Sequence, residues 1–536
     1  MQIPAAWTTH TAPGSRWRLI FFVALLLVCA ATAFIGVVPV MVFGHDTFFL
    51  LDNGWRLWCG QRPHADYFSA TGPVTYLMTW LGFLLSNASP NGIGYGDALA
   101  ALLIGLWAWH LGYGRLPAAF RALYALYLAL LAAAPYVVGT LPLLSSHAMV
   151  YNRYGYALAG LVVLECVQPV EDLAVESGEM LGGLSTGAAL GLALFTKISY
   201  FGVCLPLVAL SIGLRGLSRR RLAGLALGFG GVTLALLAFL RFDVRAVLHD
   251  FRIAAYGRSR WMEVTSSRVQ DKLVWSMPAL AALVVALVCG EFRRRGTRDP
   301  RPAVVLWGLL IFAADLLLLL GNLQPRGLPI VGAFAIVVAA ALSAFRQAPN
   351  SHGRGARFAV AATLCALLCG PQFCADIAGL INGAAQRAHP DYARSPVRFT
   401  SPRLRPVILY DWAEPKRANG SVYTACVNDG AALLQRYCVS SDRVLTMDLA
   451  NPFPYALGWP PAHGGMAATA PNNLFTAAVR PTDAEYFGDA TAVMVPKDPA
   501  LERQFFDEFY RVYEPGLMKR YRFAGESADW RLYKLK

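Results

Sequence analysis

Apolar residues run along this chain in long unbroken blocks separated by short polar stretches. The blocks fall near 19–43, 95–112, 117–139, 154–167, 182–196, 198–214, 221–241, 276–290, 303–321, 328–345 and 357–377. Most approach the ~20 residues a helix needs to cross a hydrocarbon core. The pattern predicts an α-helical polytopic membrane protein with about 11 transmembrane helices. The first block is too long for the apolar core of a signal peptide and predicts an uncleaved first span. The fifth and sixth abut at Lys197 and also read as one kinked span. The segment 73–87, PVTYLMTWLGFLLSN, is amphipathic and shorter. It is expected to lie along the interface as part of a helical first external loop.

From about residue 384 the character changes: charge rises and apolar runs shorten. RPVILYDW, DRVLTMDL and TAVMVPK read as strands, and DGAALLQRY and PALERQFFDEFYRVY as helices. We expect residues 1–383 to form the membrane domain. Residues 384–536 should form a small α/β domain, long enough to bury its own core.

Composition agrees with a membrane chain: 56% of the 536 residues are hydrophobic and 15% charged, against roughly 25% charged in soluble proteins. Mean hydropathy is +0.44. The net charge of +14 invites a nucleic-acid reading, but its distribution argues against one. Most Arg residues cluster between apolar blocks, at Arg16 and Arg18, Arg115 and Arg121, Arg215 and Arg219–Arg221, Arg293–Arg295, and Arg346–Arg357. That is the signature of cytoplasmic loops. It places the N-terminus inside and, with 73–87 not crossing, the C-terminal region outside. In that oxidising setting Cys426 and Cys438 are expected to form a disulfide, with two thiols as the alternative. No cysteine has metal-ligand spacing with histidine, and no metal or cofactor is expected.

The predicted outer face collects chemistry. The first external loop, GHDTFFLLDNGWRLWCGQRPHADYFSATGP from Gly44 to Pro73, carries His45, Asp46, Asp52 and Asp66 at the membrane edge, where carboxylates are costly. Tyr151, Asn152 and Arg153 occupy the next outer turn. Lys197 interrupts an apolar run. Arg258 and Arg260 lie in an Arg-rich outer stretch, and Asn322, Gln324 and Arg326 in the turn GNLQPRGLP. Basic groups could stabilise a departing phosphate, and a carboxylate could take a proton from an attacking hydroxyl. We expect Asp46 as the base, Asp66 as the second carboxylate and Asp52 in reserve. The remaining residues would bind substrate.

The spacing of Asp46, Gly60, Pro63, Asp66, Tyr67, Gly72 and Pro73 resembles the first external loop of the GT-C glycosyltransferases. These polyprenyl-phosphate-sugar-dependent membrane enzymes include the protein O-mannosyltransferases and the aminoarabinose transferases. The interfacial helix and Lys197, similar to a Thr-Lys motif in relatives, extend the resemblance over about half the chain in architecture. Where many relatives read Asp-Glu, this chain has Asp46-Thr47. The resemblance implies an inverting glycosyltransferase of the bacterial inner membrane. Its partners would be a polyprenyl-phosphate sugar donor, membrane lipids, and a glycan, lipid or protein acceptor.

Plainer readings stand beside these. Asp46 could cap the helix that follows, Asp52 could lie on a solvated helix face, and Asp66 could fix a turn. Arg153 and Arg326 could anchor the protein at the interface. A transporter or flippase, or a non-enzymatic envelope assembly protein, would also need many spans. Neither explains the carboxylate-rich loop, and no internal repeat of the transporter kind is evident.

Overall fold

A computed structural model of the chain describes residues 11–536 apart from 168–175, 217, 265, 290–300, 323, 345–353, 390–396, 412–419 and 501. The described helices are α1 (Thr11–Ile35), α2 (Gly44–Trp58), α3 (Val74–Ser86), α4 (Gly92–Leu111), α5 (Ala118–Ala133), α6 (Val150–Val167), α7 (Glu176–Thr196), α8 (Ile198–Arg215), α9 (Arg219–Phe239) and α10 (Val244–Val264). They continue with α11 (Ser266–Cys289), α12 (Arg301–Gly321), α13 (Pro329–Ala344), α14 (Arg354–Leu364) and α15 (Gly370–Ala388). A π-helical turn, Cys365–Cys369, joins the last two.

Six helical stretches among the described residues are long and apolar enough to cross a bilayer: Ser15–Ile35, Gly92–Leu111, Glu179–Thr196, Arg219–Phe239, Ala303–Gly321 and Ala359–Ala388. Shorter apolar helices cover Val74–Ser86, Ala118–Ala133, Ile198–Leu214 and Pro329–Leu342. The first block ends its helix at Ile35, and the chain runs on in extended form before α2. Among these apolar surfaces the hydrophobic effect cannot hold helices together, so close backbone packing has to. Helices α7 and α9 use small residues for it. A Cβ added to Gly187 would lie 2.2 Å from the Leu225 carbonyl, and one on Gly228 2.1 Å from that of Leu184.

The C-terminal region holds α16 (Gly420–Tyr437), α17 (Phe453–Leu457), α18 (Asp483–Phe487) and α19 (Arg503–Arg520), with strands β1 (Val444–Thr446), β2 (Ala492–Pro496), β3 (Tyr521–Glu526) and β4 (Trp530–Leu535). The sheet order is β1-β2-β4-β3, with β1 and β2 parallel and the other pairs antiparallel. Its own core gathers Val493, Val495, Tyr486, Phe509, Tyr513 and Tyr533. Three sequence expectations change here. The hairpin β3–β4 was not expected. The described part of RPVILYDW, residues 405–411, forms no strand but bonds to the segment before α2, with Val40 N donating to Ile408 O and Tyr410 N to Val40 O, both at 2.8 Å. Cys426 and Cys438 are not bonded to each other. Cys426 lies in the middle of α16 and Cys438 directly follows its last residue, Tyr437; twelve residues at the helical rise separate them by roughly 18 Å, far beyond disulfide reach.

This region grips the loop from Gly44 to Pro73. The Trp55 indole donates to Trp459 O at 2.9 Å and the Asn53 amide to Ala467 O at 3.2 Å. Main-chain bonds run from Gly464 N to Asp66 O (2.6 Å) and from Ala467 N to Phe68 O (2.8 Å). Arg403 stacks on Trp55, 4.5 Å from the ring centre. The buried guanidinium of Arg56 ties the whole contact together. It pairs with Asp52 at 2.9 Å and donates to Gln61 and to the carbonyls of Ala462 and Gly464.

Candidate active site

Helix α2 presents the first carboxylate. Its N-cap is Phe43, in a left-handed conformation (φ 56°) without a side-chain capping bond. Asp46 therefore lies inside the first turn, at the positive end of the helix dipole, and is not the cap. Its side chain keeps 27% exposure, with His45 Nε2 3.9 Å away. Loss of water around it raises its pKa above the ordinary carboxylate value, and the nearby His45 opposes that rise. One helical turn on, Phe49 shares the face of Asp46. Its ring meets Tyr76 edge-on at 5.6 Å and Tyr151 at 6.5 Å.

The second charge comes from a broken helix. Between α7 and α8, Lys197 is extended (φ −164°, ψ 126°). The first loop packs into this break: Gly72 N donates to Thr196 O at 3.3 Å, and a Cβ on Gly72 would sit 2.0 Å from the Phe195 carbonyl. Only glycine allows that approach. The Lys197 ammonium donates to Asn322 Oδ1 at 2.6 Å and Asn152 Oδ1 at 3.3 Å, and lies 5.0 Å from the Tyr151 ring centre. Asn322 Nδ2 donates to Tyr200 OH at 3.3 Å, which fixes the amide with its oxygen toward the lysine. Lys272 approaches the same asparagine from the main chain, donating to Asn322 O at 2.7 Å and Leu319 O at 2.9 Å. The Tyr151 ring thus stands between Phe49 of α2 and the lysine.

Of the residues expected at the site, the structure groups Tyr151, Asn152, Lys197 and Asn322, and places Asp46 beside His45 in the first turn of α2. The others are committed elsewhere. Arg153 is buried, pairs with Asp376 at 3.1 Å and donates to the carbonyls of Tyr136 and Leu131, so it is an interior brace and not an anion ligand. Asp52 is the buried partner of Arg56, not a solvated residue. Asp66 accepts from Arg62 N at 2.6 Å and lies 3.4 Å from Arg241, which orders the loop's turn. Gln324 is buried behind the α12–α13 connection and donates to Arg326 O at 3.5 Å. Arg326 is exposed and stacks on Trp275 at 3.7 Å. Arg258 and Arg260 fall on α10, and their side chains lie outside the described residues.

Sequence reasoning missed Lys272, which sits one residue after Asp271 and reads as half of a solvated pair. It also missed Asp250, which accepts from Ser69 N at 2.8 Å and lies 2.9 Å from His64 Nδ1, pinning α10 to the first loop. Asp315 caps the start of α13 by accepting from Val331 N at 2.9 Å, which is a structural role.

No protein-family model matches this chain, and no curated protein does. Among solved structures it is similar to ArnT from Cupriavidus metallidurans. The crystal structure of that protein in the apo state has 14% identity and a TM-score of 0.49, with 97% of this chain and 98% of that one covered. The structure of that protein bound to undecaprenyl phosphate has 14% identity and a TM-score of 0.48 over the same shares.

Proposed function

We propose that this chain is an integral-membrane glycosyltransferase that moves a sugar from a polyprenyl-phosphate donor to an acceptor hydroxyl on the outer face. One observation carries the reading. A lysine held by two asparagine side chains, Asn322 and Asn152, lies against Tyr151, and that ring meets Phe49 of α2, the helix whose first turn carries the desolvated carboxylate of Asp46. Both groups belong to the elements that the sequence resemblance singles out.

In the proposed reaction the acceptor oxygen attacks the anomeric carbon and Asp46 takes its proton. The bond from that carbon to the phosphate oxygen breaks, and its electron pair leaves with the polyprenyl phosphate. Lys197 stabilises the developing anion, which requires it to be pre-placed rather than free to swing. The asparagine cradle and the carbonyl anchors of Lys272 support that pre-placement. Tyr151 and Phe49 would exclude water and keep Asp46 basic. Attack opposite the leaving phosphate inverts the anomeric centre.

The test is turnover of the full chain, purified and returned to lipid vesicles, with a panel of radiolabelled polyprenyl-phosphate sugars. Release of polyprenyl phosphate that needs Asp46 and Lys197 would support the reading. Transport of the intact lipid across the bilayer with no bond cleavage would replace it with the flippase.

A further inference from the structure

A cavity of about 280 Å³ opens between α11, the α12–α13 connection and α15. Its polar lining comes from Arg326, Gln372, Thr140 and Ser276, and much of the rest is apolar, including Trp275 and Leu367. Lys197, Asn322 and Asp46 are not in its lining. Among the described residues no acidic side chain lines it and no carboxylate pairs with Arg326. The Gln372 amide is held against its wall by bonds to Tyr136 OH (3.0 Å) and Asp376 (2.9 Å). Among the described residues, the guanidinium at this cavity thus has no carboxylate partner.

Its mouth is rimmed by exposed apolar side chains. Trp275 is 56% and Leu367 57% exposed, and Val274 and Met277 extend the exposed apolar strip along α11. A cation beside an exposed apolar strip on a chain with bilayer-length apolar helices calls for an anionic amphiphile. The volume limits which one. It lies just under the range of pockets that enclose drug-sized ligands, so a phosphate with its glycerol fits, and the tails must lie outside on the α11 strip.

We propose that this cavity holds the head of an anionic phospholipid of the surrounding bilayer, with Arg326 as its counter-ion and Trp275 as the wall on which the guanidinium is stacked. The site is separate from the one assigned to the donor and does not depend on the glycosyltransferase reading.

The experiment uses the full chain in mild detergent, with phosphatidylglycerol or phosphatidylcholine added, and counts retained lipid by native mass spectrometry. Wild type should keep phosphatidylglycerol in preference to phosphatidylcholine. Arg326→Gln should lose roughly tenfold in that retention, while Arg326→Lys keeps most of it. Ala279→Phe, which fills the cavity without touching the charge, should also expel the lipid and serves if Arg326→Gln does not fold. Equal retention of both lipids, unchanged retention in the filled variant, or one-for-one displacement of phosphatidylglycerol by polyprenyl phosphate would each overturn the proposal.

Discussion

The Lys197 ammonium donates to Asn322 Oδ1 at 2.6 Å across 125 residues of sequence. The amide oxygen is neutral, so this bond orients the lysine without a carboxylate in it. Lys197→Gln should leave a folded protein whose turnover falls by about 2–4 kcal/mol equivalent, the usual scale for a removed transition-state donor. Asn322→Asp is the sharper variant. It places a carboxylate against the ammonium, so donor KM should rise while helix content and thermal stability hold. Donor-saturation kinetics at fixed acceptor would separate the two effects.

Asp46→Asn preserves shape and removes the base, and turnover should drop by roughly a hundredfold or more. The raised pKa gives this role a pH signature. The basic form is populated only above that raised value, so kcat/KM should climb with pH along an acid limb lying above the ~4 of an ordinary carboxyl. The stability sign runs the other way. A folded-state pKa above the unfolded one stabilises the protein at low pH and loses that contribution as pH rises. At neutral pH the asparagine variant should therefore be at least as stable as wild type in a melting experiment.

Arg56 tests the grip on the first loop. Its partner Asp52 is 1% exposed and Arg56 itself fully buried, and breaking such a pair from one side costs about 3–5 kcal/mol. Arg56→Ala should lower the melting temperature and expose the segment from Ala462 to Gly464 to limited proteolysis, with or without donor present.

Helices α7 and α9 touch through glycine. Gly187→Leu should separate them and release the break at Lys197 that α7 carries. Extraction in mild detergent followed by size exclusion should find this variant unstable, while leucine at Gly230, where an added Cβ meets nothing within 4 Å, should behave as wild type.

Topology follows from the Arg clusters. A reporter fused after Gly383 should be active as an extracytoplasmic fusion and silent as a cytoplasmic one.

What could be read from the sequence was local. Helices α2 and α3 announce themselves through helical period and turn residues, and Lys197 through its charge in an apolar run. The strand at Val444 and the one at Ala492 stand out as buried apolar runs. Pairings between distant segments did not stand out. Arg153 looked like an outer ligand because nothing near it in sequence reveals Asp376, 223 residues away. The β3–β4 hairpin was missed because an edge strand carries polar side chains such as Arg522 and Glu526 and resembles a loop. RPVILYDW has strand composition, but its backbone partners lie in the membrane domain. Cys426 and Cys438 share a compartment, and α16 holds them apart.

The main-chain bonds from Gly464 and Ala467 to the first loop have a consequence for biogenesis. The loop that bears Asp46 is made early and its clamp late, so some four hundred residues of chain are synthesised before the two can meet. A ribosome stalled anywhere before residue 460 leaves α2 without its partner. The contact between that loop and the C-terminal region therefore exists only in chains whose last domain has already been made.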